Sequence, residues 1–200
     1  MTRPAPPTFV RFTEETYARL RLYVELCPWE IGGLGEVRAE GDGLLVTSLA
    51  LPDQRVSAAE TELQPEAVLR LLQQCLEEGR DPAALRLWWH SHAEEEVEWS
   101  ETDEATIERF GADSLVSLVT NKAGDLLCRW DTWRPERRTV TGIPVFLPEE
   151  PLWRARAQAL REVTWGEMVK KISVVSRVIY PEPIEAQAFE LEFVTRLDEG

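Results

Sequence analysis

Hydrophobic positions along the chain switch between helical and strand periods. Tyr17, Leu20 and Val24 share one helical face behind Thr13, a residue able to cap, which predicts a helix to about Leu26 that Pro28 closes. Leu34 to Arg38 and Leu44 to Leu51 flank Glu40-Gly41-Asp42-Gly43, whose glycines suit a hairpin turn. Val68, Leu69, Leu72, Cys75 and Leu76 recur at helical spacing between Pro65 and Gly79, predicting a second helix with all five on its apolar face. Further on, Leu85 to Trp89 reads as a strand and Thr102 to Phe110 as a short helix. Leu115–Thr120 and Leu126–Trp133 read as strands joined by the turn Asn121-Lys122-Ala123-Gly124, and Thr139 to Phe146 as one more strand. A proline-rich break, residues 147–151, precedes a tail that reads as helical through about Arg161. The alternation, without internal repeats, predicts an α/β domain over residues 1–147 and an extension of unassigned role over 148–200.

Composition narrows the function classes. The chain has 200 residues, 44% of them hydrophobic and 8% aromatic, enough to bury one ordinary core. A net charge of -14 argues against a phosphate-backbone partner, because nucleic-acid binding runs on clustered cations. Much of that charge is local: residues 93–108 hold eight carboxylates and no Lys or Arg, and residues 181–200 hold six against one arginine. No run is long and apolar enough to span a membrane and the first residues lack a hydrophobic signal core, so a cytoplasmic protein without membrane partners is expected. Cys27, Cys75 and Cys128 are odd in number and far apart, and read as buried reduced thiols. Nineteen arginines against three lysines suggest a GC-rich prokaryotic genome.

Candidate chemistry gathers in one place. Both histidines of the chain lie in Trp88-Trp89-His90-Ser91-His92. Two residues apart in extended chain, their imidazoles project from one face and can reach one metal ion; the plainer reading is a pair of histidines bonded to backbone. By the same alternation Trp89 points into a core, whereas Trp88 lies on the ligand side.

After His92 and seven further residues, Ala93 to Trp99, comes Ser100-Glu101-Thr102-Asp103. The arrangement His-Ser-His, seven residues, Ser, two residues, Asp resembles the signature of the JAMM (MPN+) zinc metalloproteases. The resemblance implies zinc held by His90, His92 and Asp103, a water as fourth ligand, and Ser100 beside it to stabilise the charge that develops in a tetrahedral intermediate. Two imidazoles and one carboxylate leave an open position, as a catalytic zinc site requires. The family places a glutamate upstream, followed by glycines, and Glu30 in Pro28-Trp29-Glu30-Ile31-Gly32-Gly33 stands there. Its implied role is general base and then acid; Glu25 and Glu36 are the rival positions. Gly33 matches a family glycine, while Val37 falls where a later one is usual, and Ala93 replaces the proline that usually follows the second histidine. The acidic run Glu94 to Glu98 is either a solvated loop or the mouth of a cleft that attracts a basic substrate.

The resemblance further implies an MPN-like (cytidine-deaminase-like) mixed sheet flanked by helices. It implies cleavage of a peptide or isopeptide bond at the C-terminal tail of a ubiquitin-like or sulfur-carrier protein. A non-catalytic MPN-type scaffold, or a metal hydrolase of non-peptide substrates, are the alternatives.

Overall fold

The computed structural model describes residues 5–110 and 113–175. The elements run β1 (Val10–Phe12), α1 (Glu14–Leu26), β2 (Gly32–Glu40), β3 (Gly43–Ala50), β4 (Gln54–Val56), β5 (Thr61–Leu63), α2 (Pro65–Glu77), β6 (Leu87–Ser91), α3 (Glu101–Phe110), β7 (Ser114–Thr120), β8 (Leu126–Thr132), β9 (Arg138–Thr141), β10 (Val145–Phe146), α4 (Glu150–Lys171) and β11 (Ile172–Val174). A mixed eight-stranded sheet has the order β10-β1-β3-β2-β6-β7-β8-β9, and a three-stranded sheet the order β11-β4-β5. The α/β class predicted from the alternation holds.

The predicted strand over Thr139–Phe146 is two strands. Gly142, at φ +70°, and Pro144 break it, so that β9 pairs with β8 while β10 pairs with β1 at the opposite edge of the sheet. Three residues, 142–144, span at most about 10 Å, so the two edges must lie close together and the sheet must curl. Backbone bonds from Ile143 N to Cys128 O (3.1 Å) and from Val10 N to Pro144 O (2.9 Å) tie the two edges through this short link.

The two faces of the sheet carry unequal cores. One packs against α1 and α4: Leu20, Tyr23, Trp89, Leu118, Cys128 and Met168 are buried there, with Trp89 stacked on Tyr23 at 5.4 Å. Helix α1 starts where expected, because Thr13 and Thr16 cap each other's backbone N–H groups. Space on this face is tight at Gly33, where a Cβ would stand 2.6 Å from the Trp89 ring and 2.4 Å from Ala50 O, so only glycine fits. The other face packs α3 through a smaller cluster of Leu34, Trp88, Ile107 and Leu115.

Two further expectations need correcting. In α2, Leu69 and Leu76 are 65% and 66% exposed, and only Ala67 and Cys75 are buried, because the helix leans on the protein through Val68 and Leu71 instead. The tail helix runs ten residues past Arg161, to Lys171. Val163 and Thr164 lower its intrinsic propensity, but packing on α1 overrides that: Trp153 meets Tyr17 edge-on at 5.1 Å, Tyr23 Oη donates to Glu167 at 2.8 Å, and Arg161 pairs with Glu25. The chain then forms β11 alongside β4, so residues 148–175 pack on the preceding domain. The acidic segment 181–200 lies outside the described residues.

Candidate metal centre

Strand β6 delivers the histidines. It lies between β2, antiparallel, and β7, parallel, and all five of its residues are buried. The strand is longer at its end than alternation suggested: His90 and Ser91 lie within it and His92 follows directly, its N–H bonded to Thr120 O at 2.9 Å. Trp88 and His90 point to the α3 face, where their rings stack at 4.4 Å; Trp89 points to the opposite core.

Asp103 arrives on the first turn of α3. Ser100 caps that turn: its N–H and Oγ donate to Asp103 Oδ2 at 2.9 and 2.8 Å, and Asp103 N–H donates back to Ser100 Oγ at 3.1 Å. The carboxylate is thereby aimed at the histidines. His90 Nε2 lies 2.9 Å from Asp103 Oδ1, His92 Nε2 3.4 Å from Asp103 Oδ2, and the two Nε2 atoms are 3.2 Å apart. All three side chains are buried, and their ligand atoms lie within 4.8 Å of one another.

The donor set fits a metal ion. His92 Nδ1 faces the carbonyl oxygen of Glu96 at 3.2 Å; a carbonyl only accepts, so the ring proton belongs on Nδ1 and the Nε2 lone pair is turned into the cluster. Burial holds the His90 pKa below its ordinary value, favouring the neutral, ligating form. Without a metal, burial opposes ionisation of Asp103, but the two imidazoles donate to it when protonated at Nε2, and this outweighs burial and holds the carboxyl well below the usual range. Two neutral-capable imidazoles and an ionised carboxylate converging on one point are what a divalent cation needs.

Glu30 comes in just before β2, the strand beside β6. The register Gly32↔His90 continues through the Ser91 N to Ile31 O bond (2.8 Å), which sets Glu30 across from His92. Its side chain is 8% exposed. Burial pushes its carboxyl up to about 7, against the attraction of His92 and with the repulsion of Asp103, Glu95 and Glu60. The rival positions are committed elsewhere: Glu25 pairs with Arg161, and Glu36 with Arg80.

Three side chains that sequence reasoning missed fix these segments. Ser91 Oγ accepts from Ile31 N–H, and Gln54, 1% exposed, clamps Gly32 by donating to its carbonyl and accepting from its N–H. Asn121 Nδ2 donates to Glu95 O at 3.0 Å, bracing the loop beyond His92. Only Asn121 carried a signal, since the turn Asn-Lys-Ala-Gly invites a side-chain-capped bend; Ser91 and Gln54 act through strand register, which composition does not encode.

The acidic run is partly spoken for. Glu94 pairs with Lys122, Glu104 with Arg129 and Arg137, and Glu108 with Arg137. Among the described residues Glu95, Glu96, Glu98 and Glu101 form no ion pair. Ala93 sits at φ +45°, a left-handed conformation that proline is barred from, so the chain leaves the second histidine through a bend that proline could not make. A depression of about 540 Å³ lined by Phe12, Thr13, Glu14, Glu15, Pro148 and Arg156 lies elsewhere and shares no residue with this cluster.

The chain matches no known family profile and no curated protein. Its fold, however, recurs in protein DSY2949 from Desulfitobacterium hafniense. That solution structure is similar over 71% of this chain and 94% of its own, at a TM-score of 0.51 and 16% identity. At such identity the likeness is one of fold, and chemistry has to be argued from the site.

Proposed function

We propose that this protein is a zinc-dependent peptidase or isopeptidase of the JAMM (MPN+) type, acting at the C-terminal tail of a ubiquitin-like or sulfur-carrier protein. One observation carries the reading: His90, His92 and Asp103, spaced in sequence as in that signature, converge within 4.8 Å, with Ser100 bonded to the aspartate. The MPN fold belongs to the same proposal, supported by the mixed curled sheet with helices on both faces.

A zinc ion held by the three side chains would supply Lewis acidity, drawing the pKa of a water toward about 7. The Glu30 carboxylate takes the proton from the attacking water. Burial, which raises the pKa of this carboxyl, suits it to hand that proton on to the leaving amine. Ser100 Oγ–H is engaged with Asp103 Oδ2, so it acts as an oxyanion donor only by turning away from the aspartate.

An extended substrate tail cannot pair with β6, which has a neighbour on each side. The free edge near Glu30 belongs to β5, the terminal strand of the small sheet, whose Thr61 approaches Gly32; an added strand there would be held by main-chain bonds. The unpaired Glu95 and Glu96 favour a basic or neutral tail over an acidic one.

The test is incubation of zinc-loaded protein with linear and lysine-linked fusions of ubiquitin-like proteins. Cleavage after the tail glycine, lost in Glu30→Gln while zinc content stays stoichiometric, supports the proposal. Stoichiometric zinc without cleavage of any fusion would turn the reading toward another hydrolase or a metal-bearing scaffold.

A further inference from the structure

We propose that Arg129 is a positioning residue of the metal centre: through Glu104 and Trp99 it holds the turn that presents Ser100 and Asp103 to the two histidines. The inference rests on reading His90, His92 and Asp103 as a metal-holding set.

The two sides of the centre differ in what fixes them. His90 is locked by strand pairing on both sides, and His92 by its N–H bond to Thr120. Asp103 belongs to a ten-residue helix, a length that is marginal on its own, reached through a loop whose glutamates are exposed. Its apolar anchors, Ile107 and Phe110, lie one and two turns further along. The first turn needs a separate hold.

Arg129 provides it from β8. Ser117 of β7 pairs with both Trp88 and Arg129, so the three side chains share the face on which α3 lies. The Arg129 side chain is 3% exposed, and each part of its guanidinium is used. Nε and Nη2 donate to the two oxygens of Asp131 at 2.7 and 3.2 Å. Asp131, itself fully buried, also accepts from the Thr139 hydroxyl, so the guanidinium is braced from behind. Nη1 and Nη2 grip both oxygens of Glu104, the latter at 3.0 Å. The flat face covers the Trp99 ring at 5.0 Å, and Trp99 stands 6.1 Å from the His90 ring.

Glu104 follows Asp103 and Trp99 precedes Ser100, so one cation grips the residues on both sides of the Ser100–Asp103 cap. A planar fork with a stacking face can make these contacts together; the single ammonium of lysine cannot. Glu104 is half exposed, so its pairing contributes little to stability and more to geometry. Arg137 adds an outer brace by pairing with Glu104 and Glu108.

The experiment compares wild type, Glu104→Ala and Arg129→Lys. Zinc affinity is measured by competition with a chromophoric chelator, ligand geometry by the visible spectrum of the cobalt-loaded protein, and stability by thermal unfolding without metal. Glu104→Ala leaves the Arg129–Asp131 pair intact and is expected to unfold near the wild-type temperature. Both variants are expected to bind zinc about 10- to 100-fold more weakly, the range for losing a group that orients a ligand, with an altered cobalt spectrum. Zinc affinity of Glu104→Ala within twofold of wild type overturns the proposal, as does a loss in Arg129→Lys no larger than its unfolded fraction. Wild-type protein that takes up no zinc would instead strike the reading of the centre itself.

Discussion

The two faces of the large sheet divide the work of the molecule. On one, α1 and α4 bury a continuous core around Trp89 and Tyr23, and most of the buried sheet residues there are apolar. On the other, four buried apolar residues and a short helix leave room for two histidines, an aspartate and a buried arginine. Adjacent residues of one strand serve both: Trp89 points into the thick core, while Trp88 and His90 face the thin one. The thick side can hold the fold while the thin side is given over to polar groups that would otherwise weaken it.

Matched truncations test that division most strongly. Trp89→Ala is expected to cost about 3–5 kcal/mol of stability and to leave the zinc affinity of the folded fraction unchanged. Ile107→Ala, under α3, is expected to lower zinc affinity by more than its loss of stability explains. Chemical denaturation and chelator competition on both variants decide the matter, and equal effects on zinc affinity would erase the contrast between faces.

A smaller effect is expected at the junction after the second histidine. Proline fixes φ near -65°, far from the +45° of Ala93, so Ala93→Pro has to rebuild the bend that carries His92 toward the Glu96 carbonyl. A cost of roughly 2–3 kcal/mol and weaker metal binding should follow. Unchanged unfolding and zinc affinity would show that the bend is dispensable.

The smallest effect is the one with a pH signature. Glu30 is raised to about 7 from an ordinary 4.5, so the metal-free fold prefers it neutral. Below about 4.5 both folded and unfolded chains hold the proton. Between there and about 7 only the folded chain does, so stability falls as pH rises and the full penalty stands above 7. Glu30→Gln should therefore stabilise the metal-free protein at pH 8, by about 1–2 kcal/mol once the upper bound of about 3 kcal/mol is discounted for the water that still reaches the carboxyl, and by nothing at pH 4. A gain that is the same at both pH values would mean that Glu30 packs rather than titrates. In zinc-loaded wild type the added positive charge pulls the Glu30 carboxyl back down, so cleavage should decline on acidification only below about 7, as the base becomes protonated.

The thick face was more legible in sequence than the thin one. Helical spacing placed α1, and β-rich runs on either side of the Asn121–Gly124 turn placed β7 and β8, because burial selects those patterns directly. Reading α2 by the same rule put Leu69 and Leu76 inside, whereas five apolar positions are more than its shallow contact can cover. Gly142 and Pro144 break a run whose halves are both extended, so the sequence read as one strand although the sheet uses its two ends at opposite edges. The spacing of His90, His92, Ser100 and Asp103 stood out because chemistry constrains it. What holds those residues, through Gln54, Ser91 and Arg129, is contact between segments distant in the chain, which no local pattern records.

The pairing of Val10 with Val145 has a consequence for the order of assembly. Strand β1 gains its second neighbour only after 135 further residues have been made, so during synthesis one of its edges stays open until β10 appears. By then Glu30, His90, His92, Asp103 and Arg129 have all been synthesised. The ligands can thus meet before the curl closes, and the last event in forming the large sheet takes place at β10, four places in strand order from the β6 strand that carries His90.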